Sequence, residues 1–209
     1  MELKLRGRFF EIVAHLPETR ASCRYPFKVS LKIGDVLVTP QQGGVFGDLF
    51  GLVRDLVRLS ICLLGEGKCE EAEGDSFLFW RDMAVEAGCY KADEIPIEDA
   101  VAGKRKIYST SLMLQDCVFS FRPVKNHLML HFKCGNRNHG PLEIPTKDFV
   151  LDVLSLSREF LKFLMENLER INKQLEKNGC EWPFIITKGE LLGLEKDVQY
   201  LKEILSRKH

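Results

Sequence analysis

Nowhere in these 209 residues does an apolar run approach the roughly 18 residues that a membrane-spanning helix needs. The opening Met-Glu-Leu-Lys-Leu-Arg-Gly-Arg also lacks the apolar centre of a secretion signal. The expectation is a protein that stays out of the membrane and is made and kept in the cytoplasm. There is no CxxC pair either. Cys23, Cys62, Cys69, Cys89, Cys117, Cys134 and Cys180 are odd in number and irregular in spacing, so no disulfide framework is expected. They read as reduced and mostly buried small hydrophobes. Phosphate-cradling glycine loops are missing too: Gly43 and Gly44 stand together, without the GxxxxGK[ST] or GxGxxG spacing, and Thr39 to Gly44 reads as a plain loop. No nucleophile elbow, Cys-Gly-x-Cys-Trp run or HExxH helix marks a catalytic centre.

What the chain does have is one long amphipathic helix, expected over Thr146 to Asn178. Val150, Val153, Ser157, Phe160, Leu161, Leu164, Leu168, Ile171 and Leu175 recur three and four residues apart, on one face. Asp152, Arg158, Glu159, Lys162, Glu166, Glu169, Arg170 and Lys173 form the opposite, charged face. Thr146 is expected to cap its start, with Asp148 against the helix dipole and Asn178-Gly179 as the left-handed stop. Unbroken, it would run about 48 Å, so the rest of the chain must pack along it.

Before it the pattern is strands around one helix. Phe9 to Leu16 alternate loosely. Tyr25, Phe27, Val29, Leu31 and Ile33 alternate strictly with polar residues, and Gly34-Asp35 turns them into Val36 to Val38 as a hairpin. A helix is expected from Asp48 as N-cap to Leu64, ended by Gly65, with Leu49, Val53, Leu56, Val57, Ser60, Leu63 and Leu64 buried. Phe77 to Trp80 reads as a short buried strand with Trp80 as a core anchor, and 84–103 as a surface excursion. A strand near Tyr108 to Leu114 precedes a hairpin in which Cys117, Phe119 and Phe121 lead through Pro123-Val124-Lys125-Asn126 to Leu128, Leu130 and Phe132. Cys134 to Pro141 reads as a loop before a short Leu142-Glu143-Ile144 strand. At the far end, Thr187-Lys188-Gly189-Glu190 is a capping box, and Leu191, Leu194, Val198, Leu201 and Leu205 suit a helix docked antiparallel on the long one. Strands first and helices last argue for one α+β domain with a mainly antiparallel sheet.

Charge is zero overall but unevenly spread. Residues 66–99 carry three basic against eleven acidic side chains, −8, whereas residues 100–147 carry eight against two, +6. The two stretches can neutralise each other where they adjoin. Otherwise Glu70, Glu71, Glu73, Asp75, Asp93, Glu94, Glu98 and Asp99 form a partner-binding face toward a protein with a basic surface. For metal the only candidates are His131, Cys134 and His139, without a fourth ligand at recognisable spacing, and no cofactor is expected. Lys104, Arg105, Lys106, Arg122, Lys125, Lys133 and Arg137 could track phosphates with Phe119 or Phe121 as stacking platforms. Those phenylalanines share a face with Cys117 as core residues do, and a neutral chain lacks the nucleic-acid footprint.

The run from Cys117-Val-Phe-Ser-Phe-Arg-Pro-Val-Lys-Asn-His-Leu-Met-Leu-His to Phe132, followed by Leu142-Glu-Ile-Pro-Thr-Lys-Asp-Phe-Val150 opening a long helix, resembles the layout of small immunity proteins from bacterial contact-dependent and polymorphic toxin systems. The resemblance covers about residues 107–170 and consists of an arrangement, with no diagnostic residue. It implies a protein that binds and neutralises a cognate toxin without catalysing a reaction. Many members are acidic; this chain is neutral with an acidic middle. The expectation is thus a non-enzymatic protein-binding module, with an enzyme using a Cys/His site or a nucleic-acid-associated protein as the alternative.

Overall fold

Residues 1–16, 23, 26–39, 44–65, 85, 91, 93, 108–109, 114–180 and 185–207 are described by a computed structural model. Alternating apolar residues build the first sheet. β1 (Glu2–Arg6), β2 (Phe10–His15), β3 (Phe27–Ile33) and β4 (Val36–Leu37) follow one another antiparallel, and β5 (Val45–Gly47) pairs with the opposite half of β3. Period two puts Leu3, Leu5, Phe10, Ile12, Ala14, Phe27, Val29, Leu31 and Ile33 on the buried face. β3 and β4 meet through a two-residue turn at Gly34, in the left-handed region at φ 58°, as the hairpin reading required. β1 had no counterpart among the expected elements, although Leu3 and Leu5 carry its alternation.

α1 (Leu49–Leu63) follows. Asp48 caps it by accepting from the Gly51 amide at 2.9 Å, and Gly65 turns left-handed just beyond its end. Its buried surface is wider than the expected stripe, taking in Phe50, Gly51, Leu52, Leu59 and Ile61, whereas Leu63 and Leu64 are only half-buried. The cause is packing on several sides: Leu52 and Leu56 meet Phe10, Ile12, Leu31 and Ile33 of the first sheet together with Phe119 and Phe121 of the second, and two further helices lie against it.

The second sheet has the order β6 (Tyr108–Ser109), β7 (Cys117–Val124), β8 (His127–Cys134), β9 (Arg137–Pro145), antiparallel throughout. β7 runs through Pro123, which stands opposite Leu128 of β8. The expected loop from Cys134 to Pro141 is instead a tight turn at Gly135 (φ 57°) and the first half of β9. The sheets meet where Gly47 bridges Leu114 and the Gln115 amide donates to the Phe46 carbonyl at 2.8 Å. Arg137 adds a bond from Nη1 to the Leu37 carbonyl at 2.7 Å.

α2 (Thr146–Lys177) is the long helix, and α3 (Lys188–Arg207) returns along it. Thr146 is its first helical residue rather than its cap: Pro145 occupies the cap position, and the Thr146 amide donates to the Asn126 carbonyl at 2.9 Å. Gly179 supplies the stop at φ 81°. The capping box of α3 forms as read, with the Glu190 amide donating to Thr187 Oγ1 at 3.1 Å and the Thr187 amide to Glu190 Oε2 at 2.8 Å. Asn172 Nδ2 donates to the Ile186 carbonyl, tying the last turns of α2 to the approach to α3. The two sheets and three helices of the described residues feed one contiguous buried cluster, the α+β arrangement that the element order implied. Among the described residues no helix is long and apolar enough to cross a membrane. Phe77 to Trp80 and nearly all of 84–103 lie outside the described residues.

Candidate interaction surface

Of the acidic candidates, Asp93 is described and exposed; Glu70, Glu71, Glu73, Asp75, Glu94, Glu98 and Asp99 lie outside the described residues. In sequence the segment that carries them lies between α1 and β6.

The metal candidates do not converge as ligands. Cys134 is bonded to Cys117, its direct partner across β7 and β8, and His139 stacks its ring on Phe132 with centroids 5.5 Å apart. His131 points from the other side of β8, against Gly140. The reading of these cysteines as reduced is corrected: Cys117–Cys134 and Cys23–Cys180 are both disulfides, the second joining the link between β2 and β3 to the end of α2 across 157 positions. Phe119 and Phe121 are buried, and so present no face for a base to stack on.

A second correction concerns Asp152, expected on the charged face of the long helix. It is 5% exposed, and its carboxylate accepts from the backbone amides of Arg8 (2.6 Å), Phe9 (2.9 Å) and Phe10 (2.9 Å). Arg8 reaches back to Asp148 Oδ2 at 3.0 Å. The turn joining β1 to β2 is thereby moored to the second turn of α2. Gly7 lies against the same carboxylate, in the space that a β-carbon would need.

The surface that sequence reasoning missed is a groove of about 770 Å³ between α2 and α3. Leu161 and Val198 form its floor, and Met165 (65% exposed), Leu192 (55%) and Tyr200 stand in its walls. Arg158, Lys162, Glu166, Glu195, Lys196 and Lys202 surround them. The signal was present as apolar residues outside the main stripes: Met165 on α2 and Leu192 on α3 are both exposed. An open apolar strip with a charged rim has the make-up of a protein-binding surface.

No known family model, curated protein or solved structure matches this chain.

Proposed function

We propose that this chain is a non-enzymatic protein-binding module of the immunity type, neutralising a cognate bacterial toxin through its acidic stretch. The observation that carries the reading is the placement of charge. A −8 segment at 66–99 is inserted between α1, buried on most of its surface, and β6, paired to the second sheet. A rigid scaffold that holds a strongly acidic insertion at both ends suits a partner with a basic surface, such as a nuclease, and long-range attraction would speed their encounter. The proposal includes the cytoplasm as the compartment, where Cys23–Cys180 and Cys117–Cys134 would meet a reducing thiol pool.

The test is association kinetics with a partner captured from native cells, at two ionic strengths, for wild type and for Glu70, Glu71 and Glu73 all changed to Lys. The on-rate is expected to fall with added salt and with the triple reversal, while the melting temperature stays put, since exposed charges contribute little to stability. Rates that ignore both changes would assign the acidic run to a solvated face and move the interface elsewhere.

A further inference from the structure

The two disulfides differ in what surrounds them and in what they close. Cys117–Cys134 lies in the core, both residues fully buried on the same face as Phe119 and Phe132. A ladder of paired residues from Cys117↔Cys134 to Val124↔His127 holds the same two strands, and just beyond the bond the Gly135 amide donates to the Asp116 carbonyl at 3.0 Å. The two cysteines are only 17 positions apart. Cys23–Cys180 is the reverse case. Cys23 is half-buried, in the link between β2 and β3 and outside any strand, and its bond joins positions 157 apart. Loop-closure entropy grows with length, so of the two bonds this is the one whose opening destabilises the fold more. It is also the one that a thiol in solution can approach, from the Cys23 side, while both sheets stay intact.

Cys180 is placed so that the bond can open and close again. Past the last turn of α2 the Gly179 amide donates to the Glu176 carbonyl at 2.8 Å and the Cys180 amide to the Leu175 carbonyl at 3.0 Å, with Gly179 left-handed, a Schellman motif. These main-chain bonds keep Cys180 at the helix end whether or not its sulfur is paired. We propose that Cys23–Cys180 is a redox switch operated by a small-molecule thiol, with Cys117–Cys134 as a fixed structural bond. A thiolate attacks Cys23 Sγ and forms a new S–S bond there; the electron pair of the old bond leaves on Cys180 Sγ, which takes a proton from water. A second thiolate attacks the small-molecule sulfur of that mixed disulfide and releases Cys23 as its thiolate. The protein gains two thiols while two small thiols become one disulfide, and the same small disulfide reverses both steps. Oxidised, the segment before β3 is locked to the end of α2; reduced, that lock is released and the whole scaffold is less stable, whatever partner the acidic stretch binds.

The test uses the full chain with glutathione as the probe. Protein equilibrated with oxidised glutathione is titrated with reduced glutathione in the absence of denaturant, quenched in acid, then unfolded and alkylated with N-ethylmaleimide, so that only cysteines reduced in the folded state are labelled. Peptide mass spectrometry reads each position. Cys23 and Cys180 are expected to become labelled together, at a glutathione ratio that leaves Cys117 and Cys134 unlabelled unless denaturant is present during the reduction. The melting temperature should fall by about 10 °C over the same titration and recover when oxidised glutathione is restored. Cys23→Ser should melt at the temperature of the reduced wild type and ignore the glutathione ratio; should that variant fail to fold, the wild-type titration still decides. Labelling of Cys23 and Cys180 before any reduced glutathione is added overturns the proposal, because no bond then closes. It is equally overturned if this bond resists until denaturant is added, if Cys117 and Cys134 are labelled at the same ratio, or if the melting temperature does not follow the titration.

Discussion

Asp152 shows how much one side chain can organise. Its two oxygens receive three backbone donors from residues 8–10, so a turn 142 or more positions away in sequence is held by a single carboxylate. Hydrogen bonds to a charged acceptor are among the stronger ones, and buried amides left without acceptors carry their full desolvation cost. Asp152→Ala should therefore lower the unfolding free energy by about 3 kcal/mol in urea titration. A loss below about 1 kcal/mol would mean that water or a shifted turn replaces the carboxylate at little cost. Asp48 is a carboxylate under the opposite influence. Burial raises its pKa above the usual aspartate value, and outweighs the Gly51 amide bond and Arg54, which lower it. A raised folded-state pKa means that the folded protein holds this proton more tightly than the unfolded chain does. The associated stability is present below the ordinary aspartate value and is lost as pH climbs through the raised one. Asp48→Asn keeps an acceptor for the cap and removes the titration. The variant's stability relative to wild type should rise from acid to neutral pH in denaturant midpoints taken along that range. A flat difference, or one that falls with pH, would contradict the burial effect.

At the scale of elements, the helices and the β3–β4 turn were legible and the register of the β7–β8 hairpin was not. Asp48 and Gly65 bracket α1, and Thr187 and Glu190 close on each other at α3, because capping residues act within a few positions of themselves. The stripe on α2 is equally local, and Phe160 at its middle is fully buried. Phe160→Asp should unfold the protein or send it to aggregate, since an unpaired buried charge costs several kcal/mol against a total stability of about 5–15. A melting temperature that barely moves would place that face away from the core. Strand pairing depends on where a turn is centred, and there the reading slipped. Taking Pro123 to Asn126 as the turn sets Cys117 opposite Phe132; the actual turn at Lys125-Asn126, with Lys125 at φ 53°, sets it opposite Cys134. A slip of two residues hid a disulfide and made a pair of bonded cysteines look like a lone thiol beside two histidines.

Over the whole molecule, the acidic insertion could be seen in the sequence because charge is counted without knowing the fold. The groove could not, because it exists only once α3 has returned along α2 and left Met165 and Leu192 outside both buried stripes. The wide burial of α1 was hidden for the same reason, since elements far apart in sequence cover it. Cys23–Cys180 adds a mechanical consequence. With that bond closed, tension applied at the two ends of the chain passes from the first strands straight across to the link before α3, bypassing the 157-position span in between. Only the residues before Cys23 and after Cys180 can then be drawn out, so β3, α1, the second sheet and α2 are shielded from a pulling unfoldase until a thiol opens the bond.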